Sequence, residues 1–133
     1  MSHKLLISTD GGSRGNPGPA AAGFVVDGKA HGVYLGRATN NVAEYMAIKL
    51  ALEMALKELG EKAGQTDVEV RMDSQLAQRQ LIGRYKMKNA GLRPIFDAIN
   101  ILRPQFKSVL FKHIPRAENS KADEAVNKAL DEH

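Results

Sequence analysis

Four acidic residues, Asp10, Glu44, Asp73 and Asp123, occupy positions at which their carboxylates could act together. Asp10 and Asp73 each end a predicted strand. If the two strands are parallel neighbours, about 4.8 Å apart, both carboxylates emerge at one edge of the sheet. Glu44 and Asp123 each lie in the first turn of a predicted helix, where they could be directed at that edge. Carboxylate oxygens suit hard cations such as Mg²⁺ and Mn²⁺, and a pair of such ions commonly serves phosphodiester cleavage.

Each of these acids also has a purely structural explanation. Two of them complete the spacing of a helix capping box, in which the acid returns a hydrogen bond to the cap residue. The other two could cap a helix or form a turn. The segments concerned are Asn41-x-x-Glu44, Ser120-x-x-Asp123, Asp73, and Asp10 before Gly11-Gly12. Independent capping gives no reason for four carboxylates to converge, so their joint placement favours the metal-binding interpretation.

The composition narrows the kinds of site that the chain can form. With 133 residues, of which 43% are apolar, we expect a single domain over residues 1–133 with one core. The absence of cysteine excludes disulfides, thiolate metal sites and cysteine nucleophiles. The four histidines show no close metal-ligand spacing, which disfavours zinc. No apolar stretch suits a signal peptide or a membrane span, so we expect a cytoplasmic protein.

The net charge of +4 is a weak indication of a polyanionic partner. The distribution of charge says more, because no acid occurs between Asp73 and Asp97 while basic side chains are frequent there. The basic residues of this segment are Arg79, Arg84, Lys86, Lys88 and Arg93, with Tyr85 among them. The segment could contact phosphates, or it could be a solvated surface.

The hydrophobic pattern predicts five strands and four helices in the order β-β-β-α-β-α-α-β-α. The predicted strands cover residues 4–9, 23–26, 32–37, 68–72 and 108–114. The predicted helices cover residues 41–59 and 74–82, a segment that begins near Pro94, and a closing segment around 122–130. Asn41 is a plausible N-cap of the longest helix, and Gly60 a plausible stop. This order favours one mixed sheet with helices on its faces.

Residues 11–19 contain four glycines and two prolines, and we expect them to form a loop. Residues 11–15 match the G-x-S-x-G pattern of a hydrolase nucleophile elbow. That pattern requires a helix directly after it, and Asn16-Pro17-Gly18-Pro19 cannot start one. We therefore interpret the segment as a loop whose backbone N–H groups can approach a ligand closely.

Four sequence blocks resemble the motifs of type 1 ribonuclease H, in the family's order and across essentially the whole chain. The blocks are TDGGSRGNPGPA from Thr9, TNNVAE from Thr39, DSQ from Asp73 and NSKADE from Asn119. The resemblance implies an α/β, ribonuclease H-like fold: a five-stranded mixed sheet with helices on both faces and the second strand antiparallel to its neighbours. It also implies endonucleolytic hydrolysis of the RNA strand of RNA–DNA hybrids, with two Mg²⁺ ions or Mn²⁺ as a substitute. The products would carry 5′-phosphate and 3′-hydroxyl ends.

Motif matching carries the family's site residues over to this chain. The metal ligands would be Asp10, Glu44, Asp73 and Asp123. The backbone of Gly11 and Gly12 and the side chains of Asn16, Asn41 and Gln75 would contact the minor groove of the hybrid. Thr39 and Asn40 would hold a phosphate of the DNA strand. Discrimination must act on the RNA strand, because only that strand carries the 2′-hydroxyl as donor and acceptor.

His113 lies near the place where many members of the family keep a mobile histidine that assists proton transfer and product release. It directly follows a predicted strand, and Pro115 stiffens the next segment, so Arg116 could take that role instead. A packed or merely exposed histidine is the structural alternative.

Larger members of the family insert a basic, Trp-containing protrusion between the third and fourth acidic blocks. This chain has no Trp, and we expect a compact member that lacks the protrusion. Arg84, Lys86 and Lys88 would then grip phosphates in its place. Members without the protrusion can act on double-stranded RNA, so the resemblance implies that duplex as a second possible substrate.

Two other functions are compatible with such a fold. A non-catalytic nucleic-acid-binding module would bind in a salt-sensitive manner without cleavage, although clustered carboxylates facing phosphates would not help it. An integrase-like or junction-cutting two-metal nuclease would act on DNA, but the DGGS and NNxxE signatures argue against it. We expect a monomer with no membrane association.

Overall fold

The computed structural model describes residues 3–133, which fold around one five-stranded sheet. The strands are β1 (His3–Ser13), β2 (Gly18–Val26), β3 (Lys29–Ala38), β4 (Thr66–Met72) and β5 (Ser108–His113). Their order across the sheet is β3-β2-β1-β4-β5. β2 runs antiparallel to both of its neighbours, whereas β1, β4 and β5 are parallel to one another. The expected five-stranded mixed sheet, with its second strand antiparallel, is confirmed.

Four helices cover the two faces of this sheet. They are α1 (Asn40–Leu59), α2 (Gln75–Leu81), α3 (Arg93–Leu102) and α4 (Ser120–Asp131). α1, α2 and α3 enclose the main hydrophobic core against one face, and α4 packs on β2 and β3 from the other face. None of the helices in the described part of the chain is long and apolar enough to cross a membrane.

Small side chains let α1 lie close to the sheet. Ala43, Ala47, Ala51 and Ala55 recur at a spacing of four residues, which places them on one side of the helix, and all four are fully buried. Gly11 of β1 lies directly against this surface. The close approach brings the N-terminal half of α1 to the carboxyl end of β1.

The prediction of a loop over residues 11–19 is wrong in part. β1 continues to Ser13 and β2 already begins at Gly18, so residues 14–17 alone connect the two strands. Gly11 pairs with Ala22, and Ser13 pairs with Ala20. Glycine suits positions 11 and 12 of β1 because α1 approaches the first and α4 the second, one from each face of the sheet.

The ends of α1 differ in how well the sequence predicts them. Thr39, rather than Asn41, is the N-cap, because its hydroxyl accepts a hydrogen bond from the N–H of Val42 at 3.2 Å. At the other end Gly60 is the C-cap, with a φ of 53°. That positive φ explains why a glycine ends the helix, as the sequence predicts.

Candidate active site

The four acidic residues predicted to act together line a single cleft of about 320 Å³ at one edge of the sheet. Asp10 lies within β1, Asp73 directly follows β4, and Asp123 lies in the first turn of α4. Glu44 lies in the second turn of α1 and not, as predicted, in the first, because the helix begins at Asn40. The parallel pairing of β1 with β4 brings the first two carboxylates to the same sheet edge.

Asp10 is the carboxylate whose ionisation the fold changes most. Burial and the nearby carboxylates of Asp73 and Asp123 raise its pKa to about 7, against the effect of a hydrogen bond that it accepts from the N–H of Gly11 at 2.9 Å. A carboxyl group that is partly buried among other acids is costly to ionise. The cleft therefore concentrates negative charge that a bound cation would neutralise.

Glu44 faces the same cleft from α1. Burial raises its pKa, the hydroxyl of Ser74 opposes the rise by donating a hydrogen bond, and Asp73 adds to the rise. Ser74 also caps α2, since its hydroxyl oxygen accepts a hydrogen bond from the N–H of Ala77. One hydroxyl thus connects the start of α2 to the carboxylate of α1.

None of the four acids has the helix-capping or turn-forming role that would explain its position without a metal. Thr39 caps α1 and Ser74 caps α2. α4 has Asn119 at its N-cap position, and the side chain of Asn119 accepts no hydrogen bond from the first turn of the helix. Asp10 pairs with Gly23 within the sheet instead of forming a turn. The four carboxylates are therefore not occupied as helix caps or turn residues.

The donor set fits a cation held in an open site. Across residues 3–133, no three Asp, Glu or His side chains gather tightly enough to enclose a metal ion by themselves. Mg²⁺ rarely uses such a protein cage, since it keeps several waters and binds through one or two carboxylates together with substrate phosphates. Oxygen-rich walls, an open cleft and the raised pKa of Asp10 match this manner of binding.

A small hydrogen-bond network joins the β1–β2 connection to the start of α1. The side-chain oxygen of Asn40 accepts hydrogen bonds from the N–H and the hydroxyl of Ser13, at 2.8 and 3.1 Å. The side-chain oxygen of Asn16 accepts one from the N–H of Asn40 at 3.1 Å. Both side chains turn their oxygens inward, which leaves their amide N–H groups for a ligand.

The other residues predicted to contact a groove lie around this network. Gly11, Gly12 and Asn40 line the cleft. Asn41 and Gln75 are exposed in the first turns of α1 and α2. The N–H of Gly11 is already donated to Asp10, which limits what its backbone can offer a ligand.

The structure distinguishes between the two basic candidates near β5. Arg116 lines the cleft together with the four carboxylates. His113 is the exposed last residue of β5, in register with Met72, and it is not among the residues that line the cleft. It lies at the same sheet edge, but outside the carboxylate cluster.

The predicted phosphate-gripping residues lie on the segment between α2 and α3. Arg84, Lys86 and Lys88 are exposed there, and Tyr85 is held by Arg79, whose guanidinium donates to the tyrosine hydroxyl at 2.8 Å. Only residues 82–92 separate the two helices, so the described chain has no room for a protruding helical insertion at this point.

Sequence reasoning missed two polar residues next to the acids, Ser74 and Asn119. Ser74 contacts Glu44, while the buried Asn119 donates a hydrogen bond to Asp73. Both directly precede a helix, where Ser and Asn are ordinary capping residues. That position in the sequence indicates a cap and carries no signal for contact with a carboxylate.

Comparison with known proteins gives a consistent result. A family model described as reverse transcriptase-like matches residues 8–129. A ribonuclease HI of Halobacterium salinarum is 42% identical over 129 residues, which covers 92% of this chain and 62% of that protein. A bifunctional protein of Mycobacterium tuberculosis is 42% identical over 135 residues, 96% of this chain. The chain spans about a third of the length of the mycobacterial relatives (36%).

Solved structures match over nearly their whole length. The crystal structure of RNase H1 from Halobacterium salinarum superimposes with a TM-score of 0.88 at 41% identity, covering 98% of this chain and 99% of that one. LC11-RNase H1 in complex with an RNA/DNA hybrid gives a TM-score of 0.90 at 44% identity, with 96% and 97% covered. Residues 3–133 contain no basic protrusion between α2 and α3. Since the sequence motifs, the strand order and these matches agree, the chain belongs to the type 1 ribonuclease H family.

Proposed function

We propose that this chain is a metal-dependent endoribonuclease that hydrolyses the RNA strand of RNA–DNA hybrids and leaves 5′-phosphate and 3′-hydroxyl ends. The observation that carries the proposal is the cleft in which Asp10, Glu44, Asp73 and Asp123 meet Arg116. The solved relative that holds an RNA/DNA hybrid supports the same substrate class. A single ribonuclease H domain over residues 1–133 is part of this proposal.

The four carboxylates would hold the divalent cations that hydrolysis of the phosphodiester requires. We infer that the residues hold two Mg²⁺ ions, with Mn²⁺ as a substitute, because hard oxygen donors on an open wall suit both ions. Divalent cations supply Lewis acidity toward the scissile phosphodiester and its attacking water. Burial and the neighbouring acids raise the pKa of Asp10, so a cation held at the cluster would favour the ionised form of this carboxyl.

Arg116 contributes a fixed positive charge beside the carboxylates. A guanidinium can bind a phosphate through two parallel N–H groups, so we propose that Arg116 holds the phosphate while the leaving oxygen departs. His113, at the same sheet edge, is the candidate for proton transfer to that oxygen. A comparison of Arg116→Ala with His113→Ala separates the roles: the first should raise KM and lower kcat, and the second should lower kcat alone.

Recognition of the hybrid uses the surface on either side of the cleft. Asn16, Asn41 and Gln75, with the backbone of Gly12, are proposed to read 2′-hydroxyls in the minor groove, where hydroxyl contacts identify RNA. The N–H of Gly11 is engaged with Asp10, so we propose that Gly11 contributes through its close packing against α1.

Phosphates of the other strand are proposed to meet Thr39 and Asn40. The Thr39 hydroxyl accepts one hydrogen bond as the cap of α1, which leaves its own proton free to donate. Asn40 offers its amide N–H groups, because its side-chain oxygen is already engaged by Ser13.

The remaining proposals concern selectivity and context. Without a protrusion, Arg84, Lys86 and Lys88 supply the long-range attraction for phosphates, and such contacts do not distinguish between duplexes. Cleavage of double-stranded RNA is therefore proposed as a secondary activity. We further propose a monomer that acts in the cytoplasm.

The decisive experiment compares labelled RNA–DNA, RNA–RNA and DNA–DNA duplexes with and without Mg²⁺. We expect the hybrid to be cleaved only when Mg²⁺ is present. Asp10→Asn should abolish this cleavage, and the control Asp27→Asn, at an exposed site, should preserve it. Binding of the hybrid without cleavage at any Mg²⁺ or Mn²⁺ concentration would identify a non-catalytic binding module instead. Cleavage or strand transfer confined to DNA would identify a different nuclease.

A further inference from the structure

Asn119 connects three of the four carboxylate positions. It is only 2% exposed, and its amide nitrogen donates to the backbone carbonyl of Thr9 at 2.8 Å and to Oδ2 of Asp73 at 3.1 Å. Its backbone carbonyl accepts the first hydrogen bond of α4, from the N–H of Asp123 at 3.1 Å. Thr9 directly precedes Asp10, so one residue is bonded to Asp73 and Asp123 and to the residue beside Asp10.

The orientation of the amide group follows from its neighbours. Both the Thr9 carbonyl and the Asp73 carboxylate are acceptors, so the nitrogen must face them, and its two hydrogens match the two acceptors. The side-chain oxygen of Asn119 is then buried without a hydrogen-bond partner. A buried unpaired acceptor is unfavourable, so the contacts of the nitrogen are made at a cost.

Capping does not explain this side chain. Asparagine at an N-cap normally accepts a hydrogen bond from an N–H in the first turn of the helix, and its side-chain oxygen is the atom that does so. Asn119 stands at the N-cap position of α4, yet its side chain makes no capping hydrogen bond and turns toward the strand ends. The amide nitrogen of Asn119 donates two hydrogen bonds, while its side-chain oxygen, the atom that would cap the helix, accepts none.

We propose that Asn119 is a positioning residue that fixes the spacing of Asp10, Asp73 and Asp123 for cation binding. The proposal rests on the proposed function only in that these carboxylates bind a divalent cation. Carboxylates that bind metals depend on hydrogen-bonded neighbours for their orientation, and loss of such a neighbour commonly lowers metal affinity by about 10-fold to 100-fold. Asn119 orients the Asp73 carboxylate directly. Its bonds to Thr9 and to the start of α4 fix the backbone next to Asp10 and at Asp123.

The test measures Mn²⁺ binding to the metal-free protein by calorimetry, without nucleic acid. Asn119→Asp keeps the size and the capping ability of the side chain but replaces its donor nitrogen with oxygen. Asn119→Ser leaves one donor on a shorter side chain, and Asn119→Ala removes both side-chain donors. We expect the Mn²⁺ dissociation constant to rise by about 10-fold or more in the variants that fold. In cleavage assays at limiting Mn²⁺, kcat should fall while the KM for the hybrid changes less than about twofold.

Ile99→Ala is the matched control for stability. Ile99 is fully buried on α3 and belongs to the main core, away from the cleft. This variant should lose stability and keep the wild-type Mn²⁺ affinity. Wild-type affinity in the Asn119 variants would overturn the positioning role, and so would failure of all three to fold under conditions in which Ile99→Ala folds. If the wild-type chain binds Mn²⁺ only together with the hybrid, the same variants are compared in the Mn²⁺ dependence of cleavage. If it neither binds Mn²⁺ nor cleaves the hybrid in its presence, the proposed function fails instead, and the two failures remain distinct.

Discussion

Gly11 and Ala43 touch backbone to backbone. A Cβ placed on Gly11 would lie 2.2 Å from the carbonyl carbon of Ala43 and 2.3 Å from the N–H nitrogen of Glu44. No side chain fits in that space, and the obstructing atoms belong to a helix backbone that cannot turn aside. The close approach of β1 to α1, which brings Glu44 near Asp10, therefore requires glycine at position 11.

Gly11→Ala should move α1 away from β1 and separate Glu44 from Asp10. We expect it to destabilise the protein by about 1–3 kcal/mol or more, as overpacking of a close contact does, and to lower kcat by more than about tenfold. Urea unfolding and hybrid cleavage measure the two effects. Gly12→Ala is the matched control for the unfolding measurement, since a Cβ there would meet only Val126, at an ordinary 3.7 Å. Equal tolerance of the two substitutions would contradict the close-contact explanation.

The raised pKa of Asp10 predicts how the stability of the metal-free protein changes with pH. Its pKa of about 7 in the folded chain lies above the ordinary value of 3.8, so the folded state holds a proton that the unfolded state releases. The contribution of Asp10 to stability is therefore fully present below about pH 4 and is lost as the pH rises through about 7. Asp10→Asn should remove this loss and raise the free energy of unfolding at pH 8 by roughly 1–3 kcal/mol.

Urea titrations in a chelator at pH 5 and pH 8 measure that difference. Asp27→Asn, on the exposed turn between β2 and β3, controls for the loss of a carboxylate elsewhere. An Asp10→Asn variant that loses stability at pH 8 would show that the charged carboxylate is well accommodated in the metal-free cleft.

The sequence predicts those parts of the fold that depend on residues adjacent in the chain. Gly60 is needed for its positive φ, and a helix that begins near Pro94 follows from the fixed φ of proline. Residues 11–13 lie in a strand only because they pair with residues 20–22 and pack against two helices, and no local pattern shows that. No local pattern shows the contacts of Ser74 and Asn119 either, because their partners lie up to 110 positions away in the chain.

A buried pair, Tyr45 and Gln80, connects α1 to α2. The tyrosine hydroxyl donates to the side-chain oxygen of Gln80, and both residues are buried. Tyr45→Phe leaves that oxygen without its donor and should cost about 1–3 kcal/mol of stability, measured by urea unfolding. Replacing both partners, with Tyr45→Phe and Gln80→Leu, should recover part of this loss. Below the unfolding transition kcat should not change, and a large fall in kcat would show that the pair also sets the position of Glu44.

Arg84, Lys86 and Lys88 offer a test of whether the segment between α2 and α3 touches the nucleic acid. If each contacts one phosphate, replacing all three with Gln should raise the KM for the hybrid at moderate salt. It should also reduce the slope of log affinity against log salt by about 2–3. The matched control replaces Lys57, Lys62 and Lys107, which are exposed near the opposite end of the sheet, and removes the same charge. An equal change of slope in both variants would assign the effect to net charge, because only a local contact makes the position of the charges matter.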